Sequence, residues 1–242
     1  MKVAEQIREK IKNIPESQPF GYADLGIAPA DFFTAAKALE RLQKKGEIKK
    51  VAKGMFYKPE ISTFGEMPPN YESILQNYLY EGGKRTGYVT GYALYNQLSL
   101  TTQMAFTTKI ATNRNLKKIN IGWLKTNSVK AYVAVTEENF QLLGILDALK
   151  DIKSIPDSSA SNAIKILMPK VKNFSKKEIG ALIKYALQYP PRVRALLGAV
   201  LENIFKDKFD LSALKKSLNP STTFKLGIKN NNLPTAQNWN MV

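Results

Sequence analysis

Residues 29–60 read PADFFTAAKALERLQKKGEIKKVAKGMFYKPE, and the order of features in this stretch decides the expected fold. Pro29 suits a first helical turn, where its missing N–H would have had no partner. Gly46 suits the stop at the other end. Between them Phe32, Ala35 or Ala36, Leu39 and Leu42 recur at helical spacing and predict one core-facing stripe. The opposite face then carries Thr34, Lys37, Arg41 and Lys45, with Lys44 alongside. After Gly46 the run Ile48 to Tyr57 predicts two short strands about a turn. Ile48, Val51, Met55 and Tyr57 are expected inward, and Lys49, Lys50 and Lys53 outward.

Upstream, Val3, Ile7, Ile11 and Ile14 form an apolar stripe that predicts a first helix. Phe20 leads into Tyr22-Ala23-Asp24-Leu25-Gly26, which predicts a short second helix closed by glycine. Three helices followed by a basic hairpin are the parts of a winged helix-turn-helix, expected over residues 1–60. In that arrangement the third helix enters the major groove of double-stranded DNA. Thr34 and Lys37 are then placed for base edges, and Arg41, Lys44, Lys45, Lys49, Lys50 and Lys53 for phosphates. The same pattern also fits a small helical domain with a solvated lysine face, or a winged helix that binds protein.

The 242 residues are 44% hydrophobic, enough for a sizeable core, and include neither cysteine nor histidine. Disulfides, thiolate metal sites, His-ligated zinc and histidine general bases are thereby excluded. Formal net charge is +16, which favours a polyanionic partner. Its distribution is uneven: +4 over residues 1–60, zero over 61–113 and +12 over 114–242. The N-terminus is charged and amphipathic, unlike a signal peptide, and no run reaches the roughly 18 apolar residues of a membrane span. A cytoplasmic protein with no membrane partner is expected.

A linker is predicted from about Lys58-Pro59-Glu60 through Met67-Pro68-Pro69-Asn70, so a C-terminal domain is expected over 61–242, with a subdivision near Thr136. Residues 70–81 and 87–100 read as helices. Residues 106–112, 118–123 (ending in Trp123) and 129–135 read as strands, rich in β-branched and aromatic types. Beyond Thr136 the pattern is helical. Ser175-Lys176-Lys177-Glu178 is a capping box, and Pro191 suits a further helix start running to about Phe205. Leu211 to Leu218 reads as a short helix and Thr222 to Ile228 as a last strand, with a loosely held tail. The expected class is α+β, with a winged helix-turn-helix, then a larger mixed domain holding a small, mainly antiparallel sheet and a helical end.

Arg192 and Arg194, with Lys184 upstream, form a candidate second anion-binding face at a helix start; ion pairing to nearby acids explains the same residues. Glu81-Gly82-Gly83-Lys84-Arg85-Thr86-Gly87 lacks the spacing of a phosphate-binding loop and reads as a helix end with a glycine stop. Glu137, Glu138, Asp147 and Asp151 are the carboxylates a magnesium-dependent nucleic-acid enzyme would use. Asp147 and Asp151 lie four apart on a helix crowded by Leu143, Ile145, Leu146 and Leu149 and are expected instead to be solvated. No catalytic residue, metal site or cofactor is assigned.

The run Ala35 to Pro59, with Arg41-Leu42, Gly46, Ile48, Gly54-Met55-Phe56-Tyr57 and Pro59, resembles the N-terminal domain of AbiEi-type antitoxins. These belong to bacterial abortive-infection, type IV toxin–antitoxin systems of phage defence. Thr90 to Gln103 resembles a second segment of that family, with Ser99 where glycine is usual. Leu146 to Ile152 and Tyr189 to Gly198 are also similar to it. The resemblance implies a winged helix that binds operator repeats and represses its own operon. It also implies a C-terminal domain that counteracts a nucleotidyltransferase-like toxin, with or without direct contact. Two alternatives stand beside it: a regulator with a protein-interaction domain, and a nucleic-acid enzyme targeted by the winged helix.

Overall fold

The computed structural model describes residues 3–116, 118–122, 124–229 and 231–242. The chain forms two compact units, Met1–Tyr78 with Lys118–Lys125, and Leu79–Lys117 with Thr126–Val242.

In the first unit, α1 (Val3–Lys12) buries Ile7 and Ile11. Strand β1 (Pro19–Gly21) follows, and a turn stands where the sequence predicts a second helix. Five residues cannot offset the cost of helix nucleation. The Asp24 carboxylate instead accepts the Gly21 N–H at 2.7 Å and fixes the turn. A 3-10 turn at Pro29–Asp31 leads into α2 (Phe32–Lys44), which buries Ala35, Ala38, Leu39 and Leu42. Phe32, expected in the core, is 49% exposed and instead lies against the Tyr22 ring, with centroids 4.5 Å apart. Strands β2 (Lys49–Ala52) and β3 (Met55–Tyr57) complete an antiparallel sheet of order β1-β3-β2, with Phe56 opposite both Phe20 and Lys50. Phe20, Phe56, Ile48 and Leu25 close the core between this sheet and the two helices.

The unit does not end at residue 60. A hairpin of β4 (Ile61–Ser62) and β5 (Gly65–Glu66) follows, and Glu66 bonds both Lys49 and Tyr57. The Asn70 N–H donates to the Ser17 carbonyl, 2.7 Å away. These ties hold the expected linker onto the first sheet. Helix α3 (Tyr71–Leu79) carries the chain across the boundary between the units.

The Gly-Gly segment is a hairpin turn, not a helix end: β6 (Tyr80–Glu81) pairs with β7 (Lys84–Arg85). Gly82 and Gly83 both take positive φ, as a tight two-residue hairpin requires. Residues 87–100 divide into β8 (Gly87–Thr90) and a short α4 (Tyr92–Gln97), since Tyr88-Val89-Thr90 pairs antiparallel with β9 (Thr108–Thr112). Strand β10 (Asn120–Ile121) pairs with the start of β11 (Leu124–Lys130), whose remainder runs parallel to β9. Trp123 lies outside the described residues. Residues 131–135, expected as strand, follow β11 as loop.

No division falls near Thr136. Helix α5 (Phe140–Lys150) is buried on every side from Leu142 to Leu149 and shares one core with β8 and β9. An all-round apolar helix belongs at the centre of a core. Helices α6 (Ala160–Lys172), α7 (Lys176–Ala186), α8 (Pro191–Phe205) and α9 (Ser212–Lys216) add to that core. The capping box forms as expected: Glu178 accepts the Ser175 N–H at 2.7 Å and Ser175 accepts the Glu178 N–H at 3.3 Å.

The tail is docked, not loose. In place of a last strand there is one isolated bridge, Phe224 to Met241, and a 3-10 turn at Pro234–Trp239. Trp239 is buried against α8 where Gly198 leaves room, and its Nε1 donates to Glu202. A side chain at position 198 would meet the indole at 2.3 Å.

Candidate nucleic-acid interface

The burial of Ala35, Ala38, Leu39 and Leu42 against α1 and the sheet forces the other side of α2 outward. Thr34, Lys37, Arg41, Lys44 and Lys45 are all exposed there, and Lys49, Lys50 and Lys53 are exposed on the hairpin. Every residue expected to touch DNA thus lies at the surface of the first unit. Their charges are not equivalent. Lys44 pairs with Glu40 at 3.0 Å, one helical turn back. That hydrogen bond, with the charges of Lys44, Arg41 and Lys37, holds the Glu40 carboxyl below its usual range. Lys49 pairs with Glu66 at 2.5 Å. This bond, reinforced by Tyr57, keeps Glu66 low, while burial and Glu66 push the Tyr57 hydroxyl up to about 12. Lys37, Arg41, Lys45, Lys50 and Lys53 have no carboxylate partner among the described residues. The available cations are therefore these five.

One member of this surface escaped the sequence reading. Phe33 is 79% exposed and lines a shallow hollow of about 160 Å³ with Thr34, Lys37, Arg41, Ala38 and Ala4. An exposed phenyl ring beside a threonine and a lysine adds an apolar contact of the kind thymine methyls accept. Spacing alone did not set Phe33 apart, since neighbours such as Ala38 and Leu39 do share the buried stripe of this helix.

The second basic constellation is divided among structural tasks. Arg192 donates to the Lys150 carbonyl at 2.7 Å, at the end of α5. Arg194 donates to the Ser217 carbonyl at 3.0 Å, beyond α9. Each guanidinium thus satisfies a helix C-terminus, where cations are favoured. Lys184 is exposed on α7.

The carboxylates of α5 correct a further expectation. Asp147 is 2% exposed, not solvated. Its Oδ2 accepts from Tyr88 at 2.8 Å and Thr90 at 2.7 Å, and its Oδ1 from Lys150 at 3.2 Å and Tyr189 at 3.3 Å. Asp151 accepts from Tyr95 at 2.5 Å. Burial, and then these carboxylates, push the Tyr88, Tyr95 and Tyr189 hydroxyls well above the usual phenol range. Burial opposes the charge of Lys150, but Asp147 and Asp151 more than offset it and hold that ammonium above its ordinary value. A buried polar network so fully paired fixes β8, α5 and the start of α8 in one arrangement. Among the described residues no group of three or more acids is placed to hold a metal ion, and no helix is long and apolar enough to cross a membrane.

Residues 6–184 match DUF6088, a family of unknown function. The chain belongs to DUF6088. The match takes in the exposed face of α2, the lysine hairpin and the Asp147 network apart from Tyr189, and it ends within α7, before α8 and the docked tail. No curated protein matches this DUF6088 chain. Among solved structures it is similar to the crystal structure of the RV2827C protein from Mycobacterium tuberculosis. The TM-score is 0.50 at 10% identity, covering 93% of this chain and 85% of that one. At this identity the likeness concerns the fold: a mixed arrangement of helices and small, mainly antiparallel sheets.

Proposed function

We propose that this DUF6088 chain binds double-stranded DNA through its first unit and acts as a repressor of its own operon. The observation that carries this reading is the exposed face of α2, where Phe33, Thr34, Lys37 and Arg41 adjoin one another, with the unpaired lysines Lys50 and Lys53 on the hairpin of the same unit. The order helix, strand, turn, helix and two-stranded hairpin supports a winged helix-turn-helix. In that reading α2 enters the major groove and the hairpin follows the phosphate backbone. The resemblance to AbiEi-type antitoxins extends the proposal: the second unit counteracts a nucleotidyltransferase-like toxin in the cytoplasm. The rival reading as a nucleic-acid enzyme has less support, because Asp147 is surrounded by donors and Glu137 is bonded by Arg85 and Tyr80.

A mobility-shift titration tests the DNA part, comparing the duplex upstream of the gene with a scrambled duplex of the same composition. Preferential binding of the upstream duplex is expected; equal binding to both overturns the repressor. Co-expression with a neighbouring nucleotidyltransferase-like protein tests the antitoxin part. Restored growth is expected, and persistent growth arrest overturns it.

A further inference from the structure

The second unit contains a cavity of about 450 Å³ between β8, α4, α5 and the end of α6. We propose that it binds a small amphipathic anion, a hydrocarbon body carrying one acidic head. The volume lies within the range of small-molecule sites, and the walls are mainly apolar, with Leu94, Leu98, Phe140 and Phe174 prominent. The polar groups that reach it are few: Gln97, Gln141, Arg85 and Lys170, with no carboxylate in the lining.

The two cations differ in what they have left to give. The Arg85 side chain is 11% exposed and bonds Glu137 at 2.8 Å. Its guanidinium lies 3.8 Å from the Phe140 ring centroid and 4.7 Å from that of Tyr80. Arg85 therefore builds the wall. Lys170 is partly buried near the end of α6 and has no carboxylate partner among the described residues. An ammonium on the wall of an apolar cavity selects a ligand with the opposite charge at one end. A neutral hydrocarbon gains nothing from that cation, and a cationic ligand is repelled by it. Gln97 and Gln141, both exposed, add amide donors to the lining. This site is independent of whether the first unit binds DNA.

Octanoate and its uncharged counterpart octanamide are the probes. Each is titrated against the full chain holding the fluorescent sulfonate anilinonaphthalenesulfonate, and displacement is read as loss of fluorescence. Octanoate is expected to bind roughly ten-fold more tightly than octanamide, the difference made by one charge-assisted contact. Lys170→Gln should remove that preference, bringing octanoate affinity down to that of octanamide. Leu98→Trp should fill the cavity and weaken both. Lys170→Gln replaces a side chain at the cavity wall without touching the core, so it decides the matter alone if Leu98→Trp does not fold. The proposal is overturned if octanoate fails to displace the probe, if the two ligands bind equally, or if Lys170→Gln keeps the preference.

Discussion

Asp147 sits in the middle of LLGILDAL, residues 142–149, with four donors around it. Replacing it with alanine removes the shared acceptor of three hydroxyls and leaves the Lys150 ammonium with Asp151 alone. Asp147→Ala is expected to cost about 3 kcal/mol, measured by denaturant unfolding. Asp147→Asn should cost less, since its amide oxygen still accepts. Tyrosine hydroxyls in both units set an alkaline limit. Tyr57 is pushed up to about 12 and Tyr88, Tyr95 and Tyr189 are raised too, from an ordinary 10. A phenol that folding keeps protonated contributes stability in full below the unfolded value and loses it as pH rises through the folded one. The unfolding midpoint should therefore fall above pH about 10. Tyr95→Phe should flatten that fall, and a midpoint independent of pH there would refute the assignment. On the exposed side, Thr34→Ala and Lys37→Ala should change sequence preference, while Lys50→Ala and Lys53→Ala should weaken all duplexes alike. Selection from a randomised operator library separates the two effects. The exposure of Thr34, Lys37, Arg41 and the hairpin lysines was legible from the pattern of the chain, while that of Phe32 and Phe33 was not. The burial of Asp147 was not, although one polar residue in an all-round apolar helix is itself a sign of a paired core group.

Elements with a local start signal were legible at the element scale. The Ser175–Glu178 box and Pro191 place α7 and α8, because the bonds that start them are made within one turn of the chain. The elements that were missed depend on distant partners. Strand β1 forms because Phe20 finds Phe56, and β8 forms because Val89 finds Ile110. The docked tail depends on a fit between Trp239 and Gly198, 41 positions apart in the sequence. That fit gives a sharp test. Gly198→Ala improves helix propensity by about 1 kcal/mol, so an exposed site would be stabilised. Here the methyl collides with the indole, and a net loss of about 1–3 kcal/mol is expected from overpacking. Trp239→Ala in the same chain should relieve part of it. A Gly198→Ala protein as stable as the parent would show that the tail does not pack as described.

At the scale of the whole molecule, charge and contact tell different stories. The greater positive excess lies after residue 113, yet Arg192 and Arg194 there serve helix ends inside the second unit. The first unit carries only a modest net +4 over residues 1–60, but keeps Lys37, Arg41, Lys45, Lys50 and Lys53 free of carboxylates among its described residues. Pairing, not the total, decides which cations can meet a phosphate. The division at Tyr78 was hidden for a related reason: a stretch rich in Pro and Gly reads as a linker, while Glu66 and Asn70 fasten it by long-range bonds. The central claim is that DNA meets the face of α2 and the hairpin. It is tested most directly by the salt dependence of binding to the upstream duplex, for the parent chain and for a variant with Arg41, Lys50 and Lys53 changed to alanine. The parent should lose affinity linearly in log salt, and the variant's slope should be shallower by roughly 0.9 for each phosphate contact removed. A variant that binds with the parent's affinity and slope would contradict the account.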